Sequence, residues 1–298
     1  MTETAIDPKE ILDQLTVVIV NYFSGAVIGE CLKPLLGAKE IIVVDNGSTD
    51  GSPEMIERDF PSVNLIRAGS NLGNGGGLNV GIRMAKTSFT LLIDPDAVLQ
   101  PEDLVKLYKA HLDYDHVGFS APVLYTPRLG RDLWVMGPDE LQHVRNVFDP
   151  EGPFSSWFLA GTVMLYRTEV IQELEGFDDN IFLYCEDVDL CVRIRKAGYS
   201  MILLPDARAD HLNSQSAKPS VKLHWRKDWN FAWSYLYLLN KHRGRDAMKA
   251  EAWKILKQAA PKALFYALVF NRKRFIRDFA RTHGCVSYLM GRPAPRPA

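Results

Sequence analysis

The sequence predicts an α/β fold with a mainly parallel central sheet. Three continuous apolar runs, LTVVIV (15–20), EIIVV (40–44) and SFTLLI (88–93), are typical of strands buried on both faces. Helical stretches alternate with the strands, and this alternation indicates a parallel sheet. Because ligands bind at the carboxyl ends of the strands in such sheets, the residues that follow each run are the first candidates for a functional site.

The first half of the chain divides into elements in a regular order. We predict strands at 15–20, 40–44, 62–69 and 88–93, and helices around 26–36, at 71–87 after a glycine-rich turn, and at 101–114. The last of these helices has Pro101 at its start and carboxylates in its first turn, where the helix dipole favours them.

The second half is less regular. Residues 120–155 are rich in Pro and Gly, and we expect irregular structure there. The segment 158–177 predicts a strand followed by a helix. Residues 178–211 predict a short helix at 186–197 and one further apolar strand, MILL.

Charge is distributed unevenly, although the formal net charge is −1. Residues 1–217 contain 17 Lys and Arg against 32 Asp and Glu, whereas residues 218–298 contain 18 against 4. We therefore predict two parts, an acidic domain at 1–217 and a basic, aromatic-rich tail at 218–298 that forms two or more amphipathic helices.

The basic tail has two candidate roles. With Trp225, Trp229, Trp233 and Trp253 among its cations, it suits an interfacial helix on an anionic membrane. Alternatively, its helices pack on the preceding domain or on a second copy of the chain. We exclude nucleic acid as a partner, because no nucleic-acid-binding motif accompanies the charge.

Composition and cysteine usage favour a cytoplasmic globular protein. The chain is 47% hydrophobic and 24% charged, and its four cysteines form neither a CxxC pair nor a disulfide framework. The segment MTETAIDPKE is acidic and polar, unlike a signal peptide. No apolar run approaches the roughly 20 residues of a membrane span.

Two carboxylates, Asp94 and Asp96, end the fourth predicted strand, one residue apart. Carboxylates at this spacing can share one divalent cation, and Mg²⁺ and Mn²⁺ prefer such oxygen ligands. Asp-Pro-Asp is equally good turn chemistry. Both interpretations remain open for this motif alone.

Polar residues also end the first two strands. Asn21 and Tyr22 follow the first strand, and Asp45 begins the loop DNGSTDGS after the second. Asp45 either accepts hydrogen bonds from a base or ribose, or closes a capped turn. The glycine-rich loop NLGNGGGLNVG lacks GxGxxG, so a Rossmann dinucleotide site is excluded and tight packing explains several of its glycines.

Acidic residues begin the predicted helix at 186–197. Glu186 and Asp187 suit its first turn, where acids are favoured by the helix dipole. Asp187 also shares a face with apolar residues, so its carboxylate is expected at a cleft, where it could act as a general base. His211 follows the last apolar strand and is either structural or a third metal ligand that would favour Mn²⁺.

The order of these motifs resembles family 2 glycosyltransferases, most closely the bacterial rhamnosyltransferase-like branch. The resemblance covers roughly residues 14–214. It is carried by VVIVNY, VVDNGSTDGS, the glycine loop with Asn71, Gly73, Asn79 and Gly81, DPDA, GFDDNIFLYCEDVDLCVRIRKAGY and LPDARADH. Six motifs in the same order are far more specific than one.

The resemblance implies a GT-A fold, with a donor half at about 14–115 and an acceptor half at about 116–217. It implies that Asp94 and Asp96 hold Mn²⁺ or Mg²⁺, with His211 completing the metal shell. It also implies that Asp187 is the general base, paired with Glu186. The expected donor-binding residues are Asn21, Tyr22, Asp45, Asn46, Gly73, Asn79 and Asp94.

The expected activity is an inverting, metal-dependent sugar transfer from a dTDP- or UDP-sugar to a glycan or polyprenyl-linked glycan. We expect it at the inner face of the plasma membrane, in cell-envelope polysaccharide synthesis, with rhamnose as the first choice of sugar. Galactofuranose or another hexose is the alternative, because the galactofuranosyltransferase relatives share the same plan. Asn74-Gly75 replaces the aromatic and small pair that relatives often have, so this loop does not assign the donor sugar. A non-catalytic nucleotide-sugar or membrane-surface binder is the alternative of another class.

Overall fold

The computed structural model describes residues 6–136, 141, 144–145, 149–212 and 220–295. The boundary expected between 217 and 218 lies outside the described residues. The helices are α1 Pro8–Leu12, α2 Ile28–Leu32, α3 Ser52–Asp59, α4 Asn74–Met84, α5 Pro101–Asp113, α6 Thr168–Glu173, α7 Glu186–Lys196, α8 Val221–Arg243, α9 Arg245–Leu268 and α10 Arg272–Leu289. A 3₁₀ turn at Lys33–Leu35 continues α2.

The strands form one large curled sheet and a separate short hairpin. They are β1 Leu15–Asn21, β2 Glu40–Asp45, β3 Asn64–Arg67, β4 Phe89–Ile93, β5 Ala97–Leu99, β6 Val117–Thr126, β7 Gly130–Asp132, β8 Trp134–Val135, β9 Val144–Arg145, β10 Phe154–Ser155, β11 Val163–Arg167 and β12 Ser200–His211. The sheet order is β10-β12-β6-β11-β4-β1-β2-β3, with β5 paired to β12 and β7 to β6. The hairpin pairs β8 with β9.

The long ladders are parallel, as the sequence predicts. β1 runs parallel to both β2 and β4, β2 runs parallel to β3, and β6 runs parallel to β12. β11 is antiparallel to its neighbours β4 and β6 and joins the two halves of the sheet. The parallel strands β1, β2 and β4 end at the same edge of the sheet. The polar residues predicted at their carboxyl ends therefore lie along that edge.

Alternate side chains of the central strands serve two different cores. In β1, Val17 and Ile19 join the core that contains α1, α2 and α5, whereas Val18 and Val20 join the core that contains α4, α6 and α7. Every residue of β1 is buried. This period of two, with apolar residues on both faces, explains why the strand is a continuous apolar run rather than an alternating one.

The prediction of irregular structure at 120–155 was wrong at its start. Residues 117–126 form the long central strand β6. Gly118 and Pro122 obscure it in the sequence, because Pro lacks a ladder donor and rarely lies within a strand. Pro122 pairs with Leu204, and the next pair is Val123 with Arg208. A bulge of three extra residues in β12 therefore lies directly beside the proline, where the ladder is already interrupted.

The tail forms three helices, and the first of them packs on the core of the preceding α/β domain. Leu236, Leu238 and Leu239 of α8 are buried in the same core as α7. Ser220 caps α8 by accepting from the Leu223 N–H at 3.1 Å. Gly244, at a φ of +85°, ends α8 and lets the chain reverse into α9.

The prediction of an exposed tryptophan face on the tail was wrong for two of its residues. Trp229 and Trp233 are buried, at 5% and 6% exposure. Their indole N–H groups donate to His283 Nδ1 at 2.7 Å and to the carbonyl oxygen of Arg292 at 2.9 Å. Both side chains therefore stabilise the contact between α8 and α10. Across the described part of the chain, no helix has the length and apolar character required to span a membrane.

Candidate active site

The carboxyl ends of β1 and β2 share a hydrogen-bond network. The Asn21 Nδ2–H group donates to Asp45 Oδ1 and to Ser52 Oγ, both at 2.8 Å. Asp45 also accepts from the backbone N–H groups of Gly47 and Ser48 at 3.2 Å, and its exposure is only 3%. The carboxylate thus closes the turn after β2. A contact between Asp45 and a nucleotide base stays a prediction.

The glycine-rich turn before α4 is held against the end of β2. The Asn46 Nδ2–H group donates to the carbonyl oxygen of Gly73 at 2.8 Å. Gly73 has a φ of +83°, and any side chain there would overlap the carbonyl oxygen of Phe182. Asn46 Oδ1 is buried and has no hydrogen-bond partner among the described residues, so it can accept from a bound ligand. Tyr22, Asn46 and Gly73 all line one cavity of 410 Å³.

Asn79 lies away from this cavity and fixes a neighbouring loop. Its side-chain amide donates to the carbonyl oxygen of Phe177, and its side-chain oxygen accepts from the N–H of Phe177, both at 2.8 Å. A second donation reaches Asp179 Oδ1 at 3.0 Å. These bonds hold the loop that leads to α7. The geometry therefore favours a positioning role for Asn79 over the donor contact that we expected.

Asp94, Asp96 and His211 meet at the edge of the sheet. One ligand atom from each lies within 4.8 Å of the others. The antiparallel pairing of β5 with β12 places His211 opposite Ala97, directly beside the acidic pair. His211 Nε2 lies 3.5 Å from Asp96 Oδ1. Two carboxylates and an imidazole at this spacing form a donor set that fits one divalent cation such as Mn²⁺ or Mg²⁺.

The electrostatics of this group also fit a cation. Burial, together with the neighbouring charge of Asp96, raises the pKa of Asp94 to about 7. Burial lowers the pKa of His211, but the hydrogen bond and charge of Asp96 outweigh it, so the pKa is raised overall. Crowded carboxylates resist simultaneous ionisation, and a bound dication would relieve that repulsion.

The acidic pair at the start of α7 lies next to the metal-ligand group. Tyr184 and Cys185 precede the helix with φ values of 66° and 69°. Such conformations cost about 1–3 kcal/mol each for non-glycine residues and concentrate at functional sites. Burial and the adjacent charge of Asp187 raise the pKa of Glu186 well above its usual range. Glu186 Oε2 is buried without a hydrogen-bond partner.

Two cavities meet at these residues. The 410 Å³ cavity reaches from Tyr22 and Asn46 to the metal-ligand group, and the other cavity, of 620 Å³, contains Asp187. The residues that line both cavities are Asn74, Asp94, Glu186 and His211. The predicted metal ligands thus stand at the junction of two binding spaces, with the predicted base on the wall of one. The structure places together the predicted residues Tyr22, Asn46, Gly73, Asp94, Asp96, Glu186, Asp187 and His211.

Other residues at this site were not predicted. Arg226 and Lys227, on the first turns of α8, line the smaller cavity. Neither side chain makes an ion pair within the described residues. The Asp94 backbone N–H donates to the carbonyl oxygen of Thr162 at 2.9 Å, and Trp134 lines the larger cavity. The basic composition of the tail was the only signal for Arg226 and Lys227, and it could not show which cations reach the site.

A buried ion cluster joins the tail to α7. Asp189 is fully buried and binds Arg193, four residues later on the same helix, at 2.8 Å. It also binds Lys241 Nζ at 2.8 Å and His242 Nε2 at 2.7 Å, both from α8. Burial opposes ionisation of Asp189, but the hydrogen bonds from His242 and Lys241 hold its pKa well below its usual range. Part of the basic charge of the tail is therefore neutralised by the acidic domain itself.

Comparison with known sequences supports this picture. A family model described as "Glycosyltransferase like family 2" matches residues 13–230. The chain is 27% identical over 266 residues to an N-acetylglucosaminyl-diphospho-decaprenol L-rhamnosyltransferase of Mycobacterium tuberculosis, covering 78% of this chain and 86% of that protein. It is 24% identical over 173 residues to rhamnosyltransferase WbbL of Escherichia coli, covering 53% and 64%.

Solved structures show the same fold. The mannosyltransferase PcManGT from Pyrobaculum calidifontis, in complex with GDP-Man and Mn²⁺, matches with a TM-score of 0.56 at 18% identity, covering 93% of this chain and 87% of that one. TarS 1-349 of S. aureus, in complex with UDP-GlcNAc, matches with a TM-score of 0.52 at 18% identity, covering 94% and 92%.

The family match spans more than two thirds of the chain, including both halves of the sheet and the start of α8. The order of motifs, the fold and the sequence matches agree. The chain therefore belongs to glycosyltransferase like family 2 and is a transferase with a GT-A fold.

Proposed function

We propose that this protein is an inverting, metal-dependent glycosyltransferase that moves a sugar, with rhamnose as the first choice, from a dTDP- or UDP-sugar to a glycan or polyprenyl-linked glycan. The junction of the two cavities carries the proposal. One cavity joins the nucleotide-binding loops to Asp94, Asp96 and His211, and the other places Asp187 beside them. Donor and acceptor would thus meet at the metal-ligand group.

The smaller cavity suits the donor nucleotide. Tyr22 offers an aromatic face, and the unpartnered Asn46 Oδ1 offers an acceptor for a base or ribose donor group. Asn21 and Asp45 act on this cavity by fixing the loop that contains Asn46. Gly73 lets the backbone approach closely. The nucleotide portion of the donor is thereby held at the edge of the sheet, with its diphosphate towards Asp94 and Asp96.

Asp94, Asp96 and His211 would hold Mn²⁺ or Mg²⁺, and the bound cation would neutralise charge on the leaving diphosphate. Arg226 and Lys227 add two further positive charges on the wall of the same cavity. They matter because Asp94, Asp96 and Asp187 make the site acidic. Without added cations, a diphosphate would be repelled from it.

Asp187 would take the proton from the acceptor hydroxyl as that oxygen attacks the anomeric carbon. The new carbon–oxygen bond forms on the face opposite the diphosphate. The bond from the anomeric carbon to the diphosphate oxygen breaks, and its electron pair leaves with the diphosphate. A single displacement of this kind inverts the anomeric configuration and needs no covalent intermediate. Burial and the neighbouring charge of Asp187 raise the pKa of Glu186, which favours its protonated form and lets it donate to a hydroxyl of the donor sugar.

The larger cavity suits the acceptor. Trp134 and Phe158 give it apolar and aromatic walls, and Arg128 adds a cation. Sugar rings stack on aromatic faces, and a cation suits an acceptor that carries a diphosphate. This agrees with the M. tuberculosis relative, whose name describes a diphospho-decaprenol acceptor. Such an acceptor would place the reaction at the cytoplasmic leaflet, in cell-envelope polysaccharide synthesis.

A thermal-shift screen with dTDP, UDP and GDP, each with Mn²⁺, Mg²⁺ or EDTA, tests the proposal. A ligand at 100 times its Kd stabilises the native state by about 2.7 kcal/mol. We expect stabilisation by dTDP or UDP that EDTA removes. The absence of a shift with every nucleotide would overturn the proposal. A product assay with dTDP-rhamnose and UDP-galactofuranose then separates rhamnosyl from galactofuranosyl or other hexosyl transfer.

A further inference from the structure

The turn between α9 and α10 exposes a dense set of large apolar side chains. Those that are at least half exposed are Leu264, Phe265, Leu268, Val269 and Phe270. Phe270 is 93% exposed, the highest value among the large apolar residues of the described chain. We name residues 264–274 the apolar tip. Exposed apolar groups that cluster in this way indicate a binding surface, whereas single ones carry no meaning.

The burial pattern of α9 is inverted relative to an ordinary packed helix. The buried residues in its second half are the small residues Ala259 and Ala263, while Leu264, Phe265 and Leu268 face outward. Folding alone would favour the opposite arrangement, because leucine and phenylalanine gain more from burial than alanine does. The large side chains are therefore available for a contact outside this chain.

The turn holds its aromatic residue outward in a fixed conformation. Phe270 has a φ of +54°, a left-handed conformation that is an outlier for a bulky residue. The next residue, Asn271, caps α10 by accepting from the Arg274 N–H at 3.2 Å. Arg274 in turn donates to Tyr266 Oη at 3.2 Å. The tip is thus built by specific bonds, and its exposed phenylalanine is part of that construction.

The charges next to the tip in the sequence are positive, although Lys254 pairs with Glu251 and Arg277 with Asp278 at the two ends of this stretch. Residues 252–277 contain seven Lys and Arg and no Asp or Glu. Lys262 precedes the exposed apolar run, and Arg272, Lys273 and Arg274 follow it. Long cationic side chains flanking an apolar insertion are the arrangement that attracts anionic lipid head groups. A second copy docking tip to tip would bring these cations face to face, which is unfavourable.

We propose that the apolar tip inserts into the surface of an anionic lipid bilayer, with Phe265, Leu268 and Phe270 among the acyl chains and the flanking cations at the head groups. This inference deepens the proposed function, because a polyprenyl-linked acceptor lies in a bilayer. It differs from the tryptophan face predicted from the sequence, since Trp229 and Trp233 are buried in the helical packing, whereas Trp253 on α9 is 63% exposed. The contact is peripheral and orients the chain on the membrane.

Vesicle flotation of the full chain tests the proposal. We compare phosphatidylcholine vesicles with vesicles that contain phosphatidylglycerol. The full chain should bind the anionic vesicles, and the triple variant Phe265→Ser/Leu268→Ser/Phe270→Ser should lower the partition coefficient at least tenfold. The control is Leu112→Ser on α5, where the leucine side chain is likewise exposed, at 58%. This control variant should bind vesicles as the unmodified chain does. Lys262→Gln/Lys273→Gln should reduce the preference for anionic lipid.

Insertion itself is measured by a fluorescent label. All four native cysteines are buried, so Phe270→Cys provides an accessible thiol for an environment-sensitive dye. Its emission should shift to the blue with anionic vesicles, whereas dye at Leu112→Cys should not respond. Equal vesicle binding by the triple variant, or no shift at position 270, would overturn the proposal. A dimer that the triple variant abolishes, without vesicle binding, would assign the tip to a second copy and also overturn it.

These measurements are independent of sugar transfer. The triple variant should retain the nucleotide-dependent thermal shift, because the tip contributes nothing to the donor cavity. If the triple variant loses vesicle binding but keeps its nucleotide-dependent thermal shift, the result supports the membrane role of the apolar tip and leaves the proposed sugar transfer to its own test. Absence of any nucleotide shift in the unmodified chain would overturn the proposed function, while the vesicle result would still decide the role of the tip.

Discussion

The fully buried carboxylate of Asp189 accepts a hydrogen bond from His242 Nε2 at 2.7 Å, which joins α7 of the catalytic domain to α8 of the basic tail. Arg193 and Lys241 bind the same carboxylate at 2.8 Å. α7 begins with Glu186 and Asp187, so the tail is attached to the helix that positions the proposed base.

Asp189→Asn should destabilise the protein by about 3–5 kcal/mol, because Arg193 and Lys241 lose a buried counter-charge and His242 loses its carboxylate partner. The matched control is Asp210→Asn, whose pair with Arg208 is exposed and should change stability by less than about 1 kcal/mol. Urea unfolding measures both. Equal effects of the two substitutions would show that the cluster does not anchor the tail.

The same cluster predicts acid sensitivity. The pKa of Asp189 is depressed in the folded state, so its stabilising contribution is present above the unfolded value near 3.8. It is lost as the pH falls below that value towards the folded pKa. The free energy of unfolding should therefore fall with decreasing pH below about 4. This fall should be smaller in Asp189→Asn when both proteins are titrated in parallel.

Asp94 predicts the opposite trend in the absence of metal. Its folded pKa is raised from 3.8 to about 7, so the native state binds an extra proton between those values. The contribution of Asp94 to stability should decrease as the pH rises from about 4 to 7, and saturating Mn²⁺ should restore it. Unfolding with EDTA and with Mn²⁺ measures this. If the free energy of unfolding of Asp94→Asn has the same pH dependence, the titrating group is a different one. Glu186→Gln is then the first variant to compare.

Asp187→Asn should lower turnover by about 10²–10⁴-fold, the usual contribution of a general base. Asp187 contacts the larger cavity, so dTDP or UDP affinity should change little. Product formation and calorimetric nucleotide binding are measured on the same preparation. Turnover close to that of the unmodified chain would remove the base assignment. Asp96→Ala should differ, losing the metal-dependent part of nucleotide binding.

Arg226→Gln/Lys227→Gln should weaken binding of the diphosphate donor about tenfold, equivalent to about 1.4 kcal/mol. The two cations line the donor cavity, whereas Lys222 lies one turn earlier on α8 and is exposed. Lys222→Gln is therefore the control. Affinity for the free nucleoside should be unaffected by either change. A uniform loss with nucleoside and nucleotide would indicate altered packing of α8 instead.

The sequence was sufficient where local pattern decides structure. β1, β2 and β4 are continuous apolar runs and were predicted within a residue or two, because strands buried on both faces have no alternation to disguise them. The position of Asp94 and Asp96 followed from the same pattern. β6 was missed, because Pro122 is acceptable only beside the bulge of β12, and that bulge is a property of the partner strand.

The site was predicted less completely than the fold. Asp187 and His211 could be inferred from their places at a helix start and a strand end. Arg226 and Lys227 could not, since only the packing of α8 decides which tail cations reach the donor cavity. The buried Trp229 and Trp233 show the same limit, because an amphipathic pattern indicates an apolar face without indicating what covers it.

The number of extra residues in the bulge of β12 decides which face of the sheet His211 points to. Three extra residues, 205–207, separate the pairs Leu204–Pro122 and Arg208–Val123, and the strand then continues to His211. Successive side chains of a strand point to opposite faces. Deletion of one of these residues would therefore turn every later side chain of β12 to the other face of the sheet. The apolar core before the bulge would be unchanged, while the imidazole would turn away from the two carboxylates. The three extra residues therefore let β12 keep the pairing that the core requires and still direct His211 towards the two carboxylates at the edge of the sheet.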